Sequence, residues 1–202
     1  MKILCEGDSL TYGYGQPRTC IWTALCAGIT GTELVNRGIN GNTTGGMLAV
    51  LCRDLERETY DGVLLMGGEN DLIYSGDLAG AKANMGAMVH MAFAASSQPV
   101  IGTAVLPCPP IKESWRAWAD AGETGEKRKE YSLWLREFSR LFRLPVIDFE
   151  TEFPKRIAQR GCEQREYYME DGLHPNRAGH EIMAEIAADA ILAIQTVRRG
   201  RN

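Results

Sequence analysis

The sequence predicts an α/β protein: a three-layer α/β/α sandwich in which a five-stranded parallel sheet lies between two layers of helices. Three observations predict it. Short apolar runs alternate along the chain with longer segments whose apolar residues recur every three or four positions. One run, Tyr60-Asp61-Gly62-Val63-Leu64-Leu65-Met66, is almost continuously apolar, the pattern of a central parallel strand covered on both faces. The residues suited to chemistry follow the ends of apolar runs, where open α/β sheets place their ligands.

The elements follow in order. The first strand is the run from Lys2 that breaks at Gly7 and delivers Ser9 straight after Asp8. A loop rich in glycine and tyrosine, residues 11–17, leads to a helix over residues 19–29, and a second strand covers 33–38. Thr43 or Thr44 caps a helix in which Met47, Leu48, Leu51 and Leu55 share helical spacing. After the third strand, residues 78–97 form a helix whose Met85, Met88, Val89 and Ala92 make a core-facing stripe. Strands over 99–106 and 145–149 enclose a helix carrying Tyr131, Trp134, Leu135, Phe138, Leu141 and Phe142. The last helix carries Met183, Ile186, Ala187, Ala190, Ile191 and Ile194 on one stripe.

The chain has 202 residues, 45% of them hydrophobic and 24% charged, which suits one domain over residues 1–197 with a short basic tail over 198–202. A net charge of −4 with no basic face argues against a nucleic-acid partner. The six cysteines form no C-x-x-C pair, which speaks for free thiols rather than disulfides. No apolar stretch approaches the ~20 residues needed to span a bilayer, and Met1 runs straight into the first strand, so the expected location is cytoplasmic. The loop after the first strand contains neither G-x-G-x-x-G nor G-x-x-x-x-G-K-[ST], which argues against phosphate binding.

Four blocks carry chemistry. Ser9 stands at a strand end beside a glycine that lets the backbone turn, but a bare hydroxyl is a poor nucleophile and needs a base, an orienting acid and oxyanion donors. Asp171 and His174 are three residues apart, a spacing that in a helical turn puts both side chains on one side, ahead of Pro175. Gly41 has no side chain to block approach to its N–H, and Asn70, just past the third strand, offers an amide. Taken singly, Asn70 also reads as a turn residue and Asp171 as a cap, and Asp8 suits bonding to nearby backbone N–H groups without entering the chemistry.

Together and in this order, Gly7-Asp8-Ser9-Leu10, the glycine at 41, Gly68-Glu69-Asn70-Asp71 and Asp171-Gly172-Leu173-His174-Pro175 resemble the four blocks of the SGNH hydrolases, the GDSL-type lipases and esterases. The resemblance runs from Gly7 to Pro175. It implies a flavodoxin-like strand order and a serine esterase in which Ser9 is the nucleophile, His174 the base and Asp171 the orienting acid. It also implies an oxyanion hole of the Ser9 and Gly41 N–H groups and the Asn70 amide, with no metal or organic cofactor. Glu69 occupies a slot that is commonly small or polar, and Asn40 one where serine is frequent; both bear on substrate preference rather than on catalytic groups.

The expected partner is a small-molecule ester. Trp115 and Trp118, in the long connection over residues 107–124, either line an acyl or aryl pocket or pack the loop. Neither the acyl chain nor the alcohol is legible, so a carbohydrate O-acetyl esterase and a lysophospholipase or thioesterase stand beside a short-chain esterase. A non-catalytic flavodoxin-like binding module would leave Ser9, Asn70 and His174 without a reason to coexist. His90 reads as a plain helix residue and His180 as a packing or capping one.

Overall fold

The structure, a computed structural model, describes residues 1–119 and 122–200, without the side chains of residues 117–119. Five strands, β1 (Lys2–Gly7), β2 (Glu33–Asn36), β3 (Gly62–Met66), β4 (Gln98–Gly102) and β5 (Val146–Ile147), form one sheet in the order β2-β1-β3-β4-β5. Every pairing is parallel, with Ile3 opposite Gly62 and Gly7 opposite Met66 in the central pair. This is the expected flavodoxin-like order. It reverses direction at β1, so the carboxyl ends of β1 and β3 frame the crevice in which such sheets bind ligands.

The helices are α1 (Ser9–Tyr12), α2 (Trp22–Thr30), α3 (Thr44–Arg57), α4 (Glu69–Ser75), α5 (Leu78–Ala94), α6 (Glu123–Phe142), α7 (Phe149–Gln159) and α8 (Arg177–Arg199). Strand alternation divides them into two layers. Ile3, Cys5, Leu64 and Met66 point to one face and meet Trp22 and Cys26 of α2, Phe149 and Phe153 of α7 and the apolar stripe of α8. Leu4, Val63 and Leu65 point the other way, onto Met47 and Leu51 of α3, Met85 and Met88 of α5 and Tyr131 and Leu135 of α6. All five residues of β3 are buried, as its continuous apolar run predicts for a strand covered twice.

Several boundaries differ from the sequence reading, each for a local reason. β2 stops at Asn36 because that side chain takes over the bonding, accepting from the Gly38 N–H and donating to Thr23 Oγ1. The chain after β4 leaves the sheet at Thr103, whose hydroxyl donates to Asp148 and accepts from the Glu150 N–H. β5 has two residues because Asp148 already caps α7, accepting from the Thr151 N–H at 3.2 Å. α4 is too short to show a period, and α7 carries Pro154 in its first turns, so neither helix was legible beforehand. The tail expected from residue 198 is not a tail at its start: α8 continues to Arg199, and Arg198 pairs with Asp61 at 2.7 Å. Residues 201–202 lie outside the described residues.

Cys5 and Cys26 are buried free thiols as their surroundings suggest, whereas Cys52 and Cys162 are exposed. Among the described residues no helix is long and apolar enough to cross a membrane.

Candidate active site

Ser9 is the first residue of α1, immediately beyond β1. Asp8 caps that turn, its carboxylate accepting from the Leu10 N–H at 2.9 Å. Across the crevice, Asp171 and His174 meet in a turn, not in the helical turn that their spacing suggested; α8 opens two residues after Pro175, capped by Asn176. The turn is built by Asp171 itself. Its Oδ1 accepts from the backbone N–H groups of Leu173 at 2.8 Å and His174 at 3.0 Å, and its Oδ2 lies 2.7 Å from His174 Nδ1. His174 Nε2 is 3.0 Å from Ser9 Oγ. Serine, imidazole and carboxylate thus form one continuous hydrogen-bonded line joining residues 165 apart in sequence.

The two acids nearest this line are in different electrostatic states. Burial pushes Asp171 up, but the His174 N–H and ring and the Leu173 N–H outweigh it and hold its carboxyl below the usual range. Asp8, 3% exposed, is pushed up to about 7 by burial, against the pull of the Leu10 N–H and with added repulsion from Glu69 and Asp71. His180 accepts the Trp22 N–H at 3.2 Å through Nδ1, which satisfies a donor at the start of α2. Burial, and next the neighbouring His174, push it down to about 4, so it stands as the packing and capping residue that its position suggested. His90 is exposed on α5 against the edges of Phe93 and Phe142, away from the site.

The remaining predicted residues converge on the same place. Gly41 has φ +72°, a conformation that favours glycine, and a Cβ there would come within 3.1 Å of the Tyr74 hydroxyl. Asn70, 6% exposed in the first turn of α4, donates one amide hydrogen to the Asn42 carbonyl at 2.8 Å, leaving its second N–H for another acceptor. The approach to α4 depends on Gly68, at φ +119°, where a Cβ would overlap the Tyr131 ring. Asp71 fixes the opposing loop by accepting from the Thr44 N–H at 2.9 Å and its hydroxyl at 2.5 Å. Neither the Ser9 N–H nor the Gly41 N–H donates to a backbone carbonyl among the described residues.

A cavity of about 360 Å³ opens beside Ser9 and His174, and Asn40, Gly41, Glu69, Asn70 and Trp115 all line it. The Trp118 side chain lies outside the described residues. Three further groups at this cavity were not singled out from the sequence. The Tyr14 ring lies 4.4 Å from the His174 ring, and the Trp115 ring lies 5.6 Å from it at 78°. Tyr14 and Trp115 are themselves 6.1 Å apart, so the imidazole and the two aromatic side chains form one cluster of three rings in mutual contact. Arg128 of α6 reaches in to Glu69, with Nε 2.5 Å from Oε2, and Tyr74 contributes from α4. Tyr14 belonged to a loop that composition already marked, whereas nothing in the charged stretch around Arg128 distinguishes it from its neighbours.

Among the described residues no three His, Cys, Asp or Glu side chains are grouped to hold a metal ion. The architecture is shared with solved hydrolases at low identity. A psychrotrophic esterase, EstA, from Pseudoalteromonas sp. superposes with a TM-score of 0.76 at 22% identity, over 96% of this chain and 98% of that one. A carbohydrate acetylesterase from Sinorhizobium meliloti superposes with a TM-score of 0.77 at 19% identity, over 96% and 99% of the two chains. In sequence, an arylesterase of Vibrio mimicus is 37% identical over 75 residues, 35% of this chain and 38% of that protein. The model of the GDSL-like lipase/acylhydrolase family matches residues 5–182, which takes in all four blocks, and on that match the chain belongs to this family of ester-hydrolysing enzymes.

Proposed function

We propose that the protein hydrolyses carboxylic esters of short acyl groups, with Ser9 as nucleophile, His174 as base and Asp171 as orienting acid. The observation that carries this reading is the line from Asp171 Oδ2 through His174 to Ser9 Oγ, with steps of 2.7 and 3.0 Å, at the wall of a cavity. In this reading Nε2 takes the Ser9 proton as Oγ attacks the ester carbonyl, so the neutral His174 tautomer carries its hydrogen on Nδ1, facing Asp171. The carbonyl oxygen becomes an oxyanion received by the Ser9 and Gly41 N–H groups and the second Asn70 N–H. The alcohol leaves with the proton from His174, and water then attacks the acyl-enzyme by the same route.

The low-lying Asp171 carboxyl supports the orienting role, since it stays ionised beside an imidazole that becomes cationic in each half-reaction. A cavity of about 360 Å³ is at the small end of the ~300–1,000 Å³ usual for ligand sites, which supports a substrate of modest size. One domain over residues 1–197 and a small-molecule partner complete the proposal. The test is kcat/KM on p-nitrophenyl esters from acetate to decanoate, for wild type and Ser9→Ala. The expected result is a maximum at two to four carbons, lost in the variant. A maximum at eight carbons or more would point instead to a lysophospholipase or thioesterase.

A further inference from the structure

The loop that carries Tyr14 is anchored to both sides of the contact between Ser9 and His174. On one side the Ser9 carbonyl accepts from the Gly13 N–H at 2.9 Å and the Tyr14 N–H at 3.1 Å. On the other the loop packs against Met169, whose N–H donates to the His174 carbonyl at 2.8 Å. Two glycines permit this path. Gly13 and Gly15 have φ +82° and +73°, and a Cβ would overlap Ile21 at position 13 and the end of the Met169 side chain at position 15. Tyr14 is thus held from the backbone of the serine and from the turn that carries the imidazole.

The ring so placed stands against His174, with centroids 4.4 Å apart and planes inclined at 37°. Trp115 meets the same imidazole at 5.6 Å and nearly at right angles, 78°. Both nitrogens of His174 are already engaged, Nδ1 with Asp171 Oδ2 at 2.7 Å and Nε2 with Ser9 Oγ at 3.0 Å. What the imidazole offers to Tyr14 is therefore its ring surface. An aromatic face carries a negative quadrupole, which attracts a cation within ~6 Å of the ring centroid. In the proposed mechanism His174 takes up a proton in each half-reaction. Its contact with Tyr14 then becomes stronger in the transition state than in the ground state, and only such a gain lowers a barrier.

We propose that Tyr14 is a positioning residue whose ring face stabilises the imidazolium that His174 becomes during turnover. This rests on the reading of His174 as the base. It goes further by adding a group that acts on that base through π-electrons rather than through a hydrogen bond.

The experiment changes the electrons of the ring while keeping its shape. It measures kcat and KM on ethyl acetate and on p-nitrophenyl acetate for Tyr14→Phe and for proteins carrying mono-, tri- and pentafluorophenylalanine at position 14, with Tyr14→Leu beside them. Fluorine withdraws negative charge from the ring face step by step. From Tyr14→Phe to the pentafluoro ring kcat should fall ~3- to 30-fold, the rate equivalent of one cation–π contact. The fall should be similar for both esters, because the imidazolium forms whichever half-reaction is slower. Tyr14→Leu, which keeps apolar bulk without a π face, should lie below Tyr14→Phe by a comparable factor; the fluorinated series decides alone if that variant does not fold. A flat kcat along the series overturns the proposal and leaves the ring as packing. A fall confined to p-nitrophenyl acetate, or a change in KM alone, also overturns it, since the ring would then act on the substrate. His174→Ala controls the underlying reading: if it keeps wild-type kcat on ethyl acetate that reading fails, whereas an inactive His174→Ala with a flat series defeats the role of Tyr14 only.

Discussion

Asp8 and Asp171 are both buried carboxylates beside the Ser9–His174 contact, yet the first is pushed up to about 7 and the second is held below the usual carboxylate range. The difference lies in what each carboxylate receives. Asp171 accepts two backbone N–H groups and faces the His174 ring, three polar contacts that replace its lost water. Asp8 accepts the Leu10 N–H, while Glu69 and Asp71 add like charge. Burial alone therefore does not decide the charge of an acid; the count of donors against the count of like charges does. The fold places the first arrangement against the His174 ring, where the proposed mechanism forms a cation, and uses the second to cap α1.

The largest effects should come from breaking the Asp171 side of this contrast. His174→Ala is expected to lower kcat on the order of 10⁴-fold or more, and Asp171→Asn on the order of 10³- to 10⁴-fold, because asparagine keeps the turn but not the charge. Steady-state kcat for both variants checks this, and a near-silent Asp171→Asn would reduce the residue to a turn former. Asn70→Ala should lower kcat ~10²- to 10³-fold with little change in KM, since in the proposed mechanism its second N–H acts mainly in the transition state. A rise in KM alone would return Asn70 to its bond with the Asn42 carbonyl.

A smaller effect is expected in the aromatic cluster beside His174. Trp115→Ala should shift the chain-length preference among esters by ~10-fold, the low end of the ~10- to 200-fold that a methylene's worth of pocket contact commands. The same series of esters checks it, and an unchanged preference would leave Trp115 as loop packing.

The Asp8 side of the contrast should show in stability more than in rate. Its folded pKa of about 7 lies above the unfolded value near ~3.9, so the folded state binds more protons between them and loses stability as pH rises through that window. The slope approaches about 1.4 kcal/mol per pH unit for one such group. Asp8→Asn, which retains the cap, should raise Tm more at pH 8 than at pH 4 and change kcat less than tenfold. Glu6 should behave alike over a wider window. It is fully buried on β1, neither carboxylate oxygen has a hydrogen-bond partner among the described residues, and burial and next Asp54 push it up to about 8. Thermal melts at the two pH values check both acids, and equal gains at each pH would contradict the assignment.

What the sequence made legible follows the same division between short-range and long-range causes. The strand runs, the helical stripes and the four blocks are local patterns, and the elements appear in the expected order with the blocks gathered at the carboxyl edge of the sheet, although β2, β4 and β5 end early and Leu141 and Phe142 of the α6 stripe are exposed. The turn at Asp171 was misread as helical because side-chain acceptance from backbone N–H groups produces the same three-residue spacing. Contacts between distant segments were not legible. The reach of Arg128 to Glu69 and of Tyr14 to His174 depends on how α6 and the first loop pack, which no spacing records. The seven residues of α4 are too few to show a period, and Pro154 obscures α7 although Phe149, Phe153 and Ile157 recur there at helical spacing.

The most direct test of the account is where a fluorophosphonate attaches, because covalent capture requires both the hydroxyl and the base that activates it. Wild-type protein, labelled and digested, should carry one adduct on the peptide containing Ser9, and His174→Ala should lose that adduct while remaining folded. An adduct on another serine with Ser9 unmodified, or full labelling of Ser9 in His174→Ala, would contradict it.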